Sequence, residues 1–144
     1  MGEQPKYREL EHTGDLAIEV TAATREDLFA HSLVAMARLM VEEDGIAAAE
    51  RREIRCDASD DADMIRDLLA AALNLFLIDG FIWRQAEVKI QNGAVIAAVT
   101  AVLTGEQYDS RRHQLLEEIK AVTYHRLAVE EIGDTWRATI VFDA

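Results

Sequence analysis

Residue types able to do chemistry gather at three places. The run His12-Thr13-Gly14-Asp15 puts an imidazole, a hydroxyl and a carboxylate in a segment that bends at glycine just before a strand pattern. Taken alone it also reads as a turn, because Asp and Gly are common turn formers. The chain closes on Asp143-Ala144. If Ala144 is the natural end, its free main-chain carboxylate stands one residue from the Asp143 side chain, and hard cations such as Ca²⁺ and Mg²⁺ favour such oxygen ligands. Taken alone, this reads as a solvated acidic tail. If the sheet sets the last strand beside the segment starting at Asp15, three carboxylates converge. Unneutralised, they repel one another and some must take up protons; a divalent cation removes the repulsion. The third place is Lys120-Ala121-Val122-Thr123-Tyr124-His125. On a continuous strand Thr123 and His125 share one face and Lys120, Val122 and Tyr124 the other. Lys120 and His125 then form no close pair unless a bulge intervenes.

Other catalytic patterns are missing. The glycines are scattered, without a phosphate-cradling loop or a Gly-x-Ser-x-Gly elbow, and neither His-Glu-x-x-His nor a paired-cysteine zinc motif occurs. The single cysteine, Cys56, reads as a small strand residue; it forms no internal bridge and fits a reducing cytoplasm. The formal net charge of −12 would repel a phosphate backbone, so direct nucleic-acid binding is not expected. The N-terminus lacks a signal-peptide pattern. The most apolar stretch, Leu68 to Ile78, is too short for a bilayer, and the chain is expected to be soluble.

The elements that must position these residues follow from hydrophobic periodicity. With 144 residues, half of them hydrophobic, and no linker or repeat, residues 1–144 read as one domain. Tyr7 to Glu11 predicts a short strand, and Leu16, Ile18 and Val20 a half-buried one. Thr24 starts a helix, with Asp27 three residues on, and Phe29, Leu33, Met36 and Met40 form its apolar stripe. Arg52, Ile54 and Cys56 predict another strand. Asp60 and Asp61 open a second helix that Gly80 stops. Val88 and Ile90 lead into Asn92-Gly93, a pair favoured in tight hairpins, with Val95, Ala97, Val99 and Ala101 on the return. Tyr108 to His113 predicts a polar loop and Ile119 to Glu131 one long strand. Gly133-Asp134 then turns the chain into Trp136, Ala138, Ile140 and Phe142, which alternate with polar neighbours. The order gives an α+β class, mainly an antiparallel sheet with two packed helices.

Taken together, the residues resemble the archease family. The matching pieces are Glu11-His12-Thr13-Gly14-Asp15 leading into Leu16-Ala17-Ile18-Glu19-Val20, then Leu28-Phe29, Leu39-Met40, Gly80-Phe81, the run Lys120 to His125, Trp136-Arg137-Ala138, and Phe142-Asp143 with one residue after it. The resemblance implies a compact α+β protein that is a cofactor of the RtcB-type RNA ligase rather than an enzyme. Such a protein promotes guanylylation of the ligase's active-site histidine and its turnover in transfer-RNA splicing and RNA repair, in the cytoplasm. It also implies a divalent cation, calcium in the family, on Asp15, Asp143 and Ala144, with His12, Lys120, Thr123 and His125 as a candidate functional surface. One departure stands out. Family members often carry a Trp-Leu-Asn-Glu-Leu-like run in the second helix, where this chain has Leu68-Leu69-Ala70-Ala71-Ala72-Leu73. If that run touches the ligase, the docking is altered here. Two rival readings are a chaperone-like module that binds strands at a sheet edge and a metal-dependent hydrolase.

Overall fold

A computed structural model describes residues 5–10 and 15–144. Its elements are β1 (Lys6–Leu10), β2 (Leu16–Ala22), α1 (Arg25–Met40), β3 (Glu50–Ala58), α2 (Asp61–Asp79), β4 (Phe81–Gln91), β5 (Ala97–Gln107), β6 (Ala121–Val122), β7 (Ala128–Ile132) and β8 (Thr135–Asp143). Every strand pair is antiparallel, and the class is the expected α+β with two helices. The strands divide into two sheets: β1-β2-β8 with β6 and β7 both along the outer side of β8, and β3-β5-β4.

The helix starts are those the sequence predicts. The Thr24 hydroxyl accepts the Asp27 N–H at 3.1 Å, and the Asp60 carboxylate accepts the Asp63 N–H at 2.8 Å. Gly80 ends α2 with φ 72°, the left-handed region glycine enters freely. α1 differs from the predicted one-sided stripe: Leu28 through Ala37 are all buried. The reason is that α1 lies between the sheets, against β2 on one side and β4 on the other, and a helix covered on both sides must be apolar nearly all round. Its buried Ser32 is satisfied within the helix, donating to the Leu28 carbonyl at 2.7 Å.

Two predicted elements need correction. The Asn92-Gly93 hairpin is not a two-residue turn. β4 ends at Gln91 and β5 begins at Ala97, so Val95 lies in the loop, 79% exposed. Gly93 lacks the positive φ that a type I′ turn requires. The predicted long strand from Ile119 to Glu131 is broken. From Val122 to Ala128 the edge advances six residues while its partner β8, from Phe142 to Thr139, advances three. The excess leaves the ladder as a turn closed by Leu127 N–H on the Tyr124 carbonyl, 3.3 Å, with Arg126 at φ 54°. Thr123 and His125 therefore do not share a strand face. The Gly133-Asp134 turn stands as expected: Ile132 pairs with Thr135, and Gly133 takes φ 64°, as in a type II′ hairpin.

Candidate functional site

The register of β2 on β8 builds one corner of the molecule. Leu16 faces Phe142 and Ile18 faces Ile140, both pairs turned to the core, where Phe142 and Ile140 are fully buried. One residue farther along, Asp15 and Asp143 occupy adjacent places on the opposite face, and both are exposed, as is Ala144. The start of β2 and the end of β8 thus meet through the sheet, because the two strands are direct antiparallel neighbours in it.

The other side of β8 is closed by β6 and the residues flanking it. The Lys120 N–H donates to the Asp143 carbonyl at 2.7 Å, so Lys120 sits beside the acidic end of β8 with its side chain exposed. Thr123 donates to the Val141 carbonyl through both its N–H (3.0 Å) and its hydroxyl (2.9 Å). Its oxygen also accepts the His125 N–H at 3.2 Å. Thr123 is thus the staple at which the edge leaves the ladder, and His125 rides in the exposed turn beyond it. His12 falls outside the described residues. The structure gathers Asp15, Asp143, Ala144, Lys120 and Thr123 at one corner, with His125 in the adjoining turn.

Among the described residues no group of three or more His, Cys, Asp or Glu side chains is placed to hold a metal ion. A cation at this corner would rest on two side-chain carboxylates and a main-chain oxygen of Ala144. Those donors are all oxygen, which fits a hard ion such as Ca²⁺ or Mg²⁺ and not a thiol- or imidazole-seeking metal. Burial pushes the Cys56 thiol up, and Asp67 and Asp57 add to the effect, which favours the neutral thiol over the thiolate.

Comparison with known proteins bears on the same arrangement. The model of the Archease protein family (MTH1598/TM1083) matches residues 7–144. This chain belongs to the archease family. A protein archease of Methanopyrus kandleri is 35% identical over 137 residues, covering 95% of this chain and 98% of that one. A protein archease of Methanosarcina barkeri is 33% identical over 141 residues, covering 96% and 95%. The solution structure of Methanobacterium thermoautotrophicum protein 1598 shares the fold, with TM-score 0.82 at 23% identity over 96% of this chain and 98% of that one. The crystal structure of a Thermotoga maritima archease, described as a "possible chaperone", matches at TM-score 0.54 and 27% identity over 95% and 96%. The relatives' names state no catalytic activity. No described helix of this archease-family chain is long and apolar enough to cross a membrane.

Two groups that position the archease corner were not foreseen from sequence. Arg66 of α2 donates to the Val122 carbonyl at 3.2 Å and stacks its guanidinium over Tyr124, 4.6 Å from the ring centre. It braces the segment between β6 and the turn, yet in sequence it is one more cation on a helix. The second is a polar cluster in the predicted surface loop. His113 is 3% exposed. Its Nδ1 accepts the Asp109 N–H at 2.9 Å, so Nε2 carries the proton and donates to Glu106 Oε2 at 2.9 Å. Glu106 also accepts from Arg112 (2.7 Å) and from the Ala47 N–H (2.7 Å). Tyr108 stacks on His113. The cluster fastens the start of the long β5–β6 connection, while Leu116 and Glu117 fasten its middle by donating to the Met40 and Leu39 carbonyls. That connection delivers Lys120 to the corner. The only forewarning in sequence was Glu106, Arg112 and His113 within eight residues.

Proposed function

We propose that this archease-family protein is a metal-binding protein cofactor of an RtcB-type RNA ligase. It promotes guanylylation of the ligase's active-site histidine and its repeated turnover in transfer-RNA splicing or RNA repair. The observation that supports the reading is the convergence of Asp15, Asp143 and Ala144 beside Lys120, in a chain that matches the family model over nearly its whole length. The Asp15 and Asp143 carboxylates and an Ala144 main-chain oxygen would hold the ion. Ca²⁺ when bound would supply a fixed positive charge able to order acidic groups of the ligase or its nucleotide. Lys120 and the Thr123–His125 turn are the neighbouring surface for the ligase. With a net charge of −12, the protein acts on the ligase and not on RNA directly.

The test is ligase guanylylation with and without this protein, with metal present and then chelated. Asp15→Ala should lower divalent-metal affinity in calorimetry and ligase stimulation together. Undiminished stimulation by the folded variant sinks the proposal. A second reading draws on the description of the Thermotoga relative as a possible chaperone. Suppression of aggregation of unrelated clients, without metal, would favour it.

A further inference from the structure

β3 is an edge strand. β5 lies on one side of it, and among the described residues no strand and no backbone hydrogen bond reaches the other. The opposite edge of the same sheet is treated differently: there the Glu26 carboxylate accepts the Ile90 N–H at 2.7 Å. An open edge nine residues long invites pairing. The residues on it decide which pairing.

Along β3 the exposed face carries Arg51, Glu53, Arg55 and Asp57, signs alternating, and the half-buried face carries Arg52, Ile54, Cys56 and Ala58. The pattern is antisymmetric about Ile54. In an antiparallel pair of two β3 strands centred on Ile54, Arg51 lies opposite Asp57 and Glu53 opposite Arg55, twice over. Every cross-strand pair is then of opposite sign, and so is every neighbour along each strand. Sliding the pair by two residues either way sets Arg55 against Arg55 or Glu53 against Glu53. A parallel in-register pair sets like on like throughout. Sliding by one residue puts exposed positions opposite half-buried ones. Directly opposed charges of opposite sign stabilise an antiparallel pair and like charges oppose it, so the Ile54-centred register is favoured over both two-residue slides. A slide of four keeps opposite signs but pairs half as many charges, and a parallel pair offset by two matches signs without a twofold axis. Charges on an edge usually serve to repel neighbours, but here they discriminate among registers. With Glu50 included, the strand carries three cations and three anions, a neutral strip on a chain of net charge −12. Neither Arg51 nor Glu53 has an ion-pair partner within the described chain, while Arg55 is only 3.7 Å from its own Asp57.

We propose that β3 is a homodimerisation edge, joining the three-stranded sheets of two copies of this chain about a twofold axis at Ile54. The experiment is sedimentation velocity over a wide concentration range with wild type, Glu53→Arg, Arg55→Glu, and an equimolar mixture of the two variants. The wild type should dimerise. Each variant alone sets like charges opposite one another twice and should self-associate about tenfold more weakly or worse. The mixture restores opposite signs at every position and should form a mixed dimer. Glu53 and Arg55 are exposed, and a circular dichroism melt checks that the variants fold. A monomeric wild type overturns the proposal. So does a dimer indifferent to either substitution, which would assign it to another surface, or a mixture no more associated than its components.

Discussion

Glu106 accepts hydrogen bonds from three residues in two segments, Ala47 and the adjacent Arg112 and His113, and its carboxyl is lowered from the ordinary 4.5 to about 2. The Arg112 hydrogen bond is the largest cause, the Ala47 N–H and His113 add to it, and burial opposes. A carboxyl whose pKa is depressed on folding contributes stability above its unfolded value and loses it as pH falls through the folded one. The wild type should therefore lose stability between pH 4.5 and about 2. Glu106→Gln should cost about 2 kcal/mol at neutral pH and show a flatter acid limb, both read by urea unfolding at several pH values. Arg126 shows the opposite situation. It holds φ 54° with a full side chain, so Arg126→Gly should stabilise the turn by roughly 1 kcal/mol, seen as a higher urea midpoint. Single-residue chemistry was partly legible in sequence. Asp15, Asp143 and Lys120 were picked out by type, but Arg66 and His113 were not, because each draws its role from a partner distant in sequence: Val122 for Arg66, Gly45 and, through Glu106, Ala47 for His113.

At the scale of elements, the β4–β5 pair shows how one small residue shapes a strand. The register shifts between Trp83 and Gln85, leaving Arg84 as the extra residue of a bulge. The bulge lies opposite buried Gly105, where an added Cβ would run into the Ile82 carbonyl and the Trp83 Cα. Trp83, fully buried, has its indole N–H on the Leu33 carbonyl at 2.9 Å. Gly105→Ala should then cost about 2 kcal/mol or more, since backbone cannot yield as a side-chain tip does; thermal melts and the near-ultraviolet signal of Trp83 would show it. Helices and their caps were legible because periodicity and capping chemistry are local. The broken edge was not, for a physical reason. An excess of three residues is odd, so it flips the alternation: Val122 pairs with Phe142 on the core face, but beyond the turn Val129, not Ala128, pairs with core-facing Ala138. A phase slip of that kind reads as ordinary noise in a short, mixed strand.

On the scale of the molecule, one buried cluster runs from Ile18 and Phe142 in one sheet through α1 to Phe81 and Leu103 in the other. Two sheets clasping one helix were not visible in a sequence that orders strands but does not say which of them pair. The surface carries the net charge of −12, and its self-repulsion weakens as the screening length shortens. Added sodium chloride should raise the melting temperature by a few degrees, measured by calorimetry at constant pH. The arithmetic of the β6–β7 edge has a practical consequence as well. Excising Tyr124, His125 and Arg126 would remove just the surplus, leaving Thr123 to meet Val141 and Leu127 to meet Ile140 in an unbroken run along β8. A scaffold shortened in this way should keep its fold, at a small cost from the lost Arg66–Tyr124 stack, and on the proposed function should keep its ion affinity while losing the contact that the exposed turn offers to the ligase. Structure and communication would then be separable by a single cut of three codons.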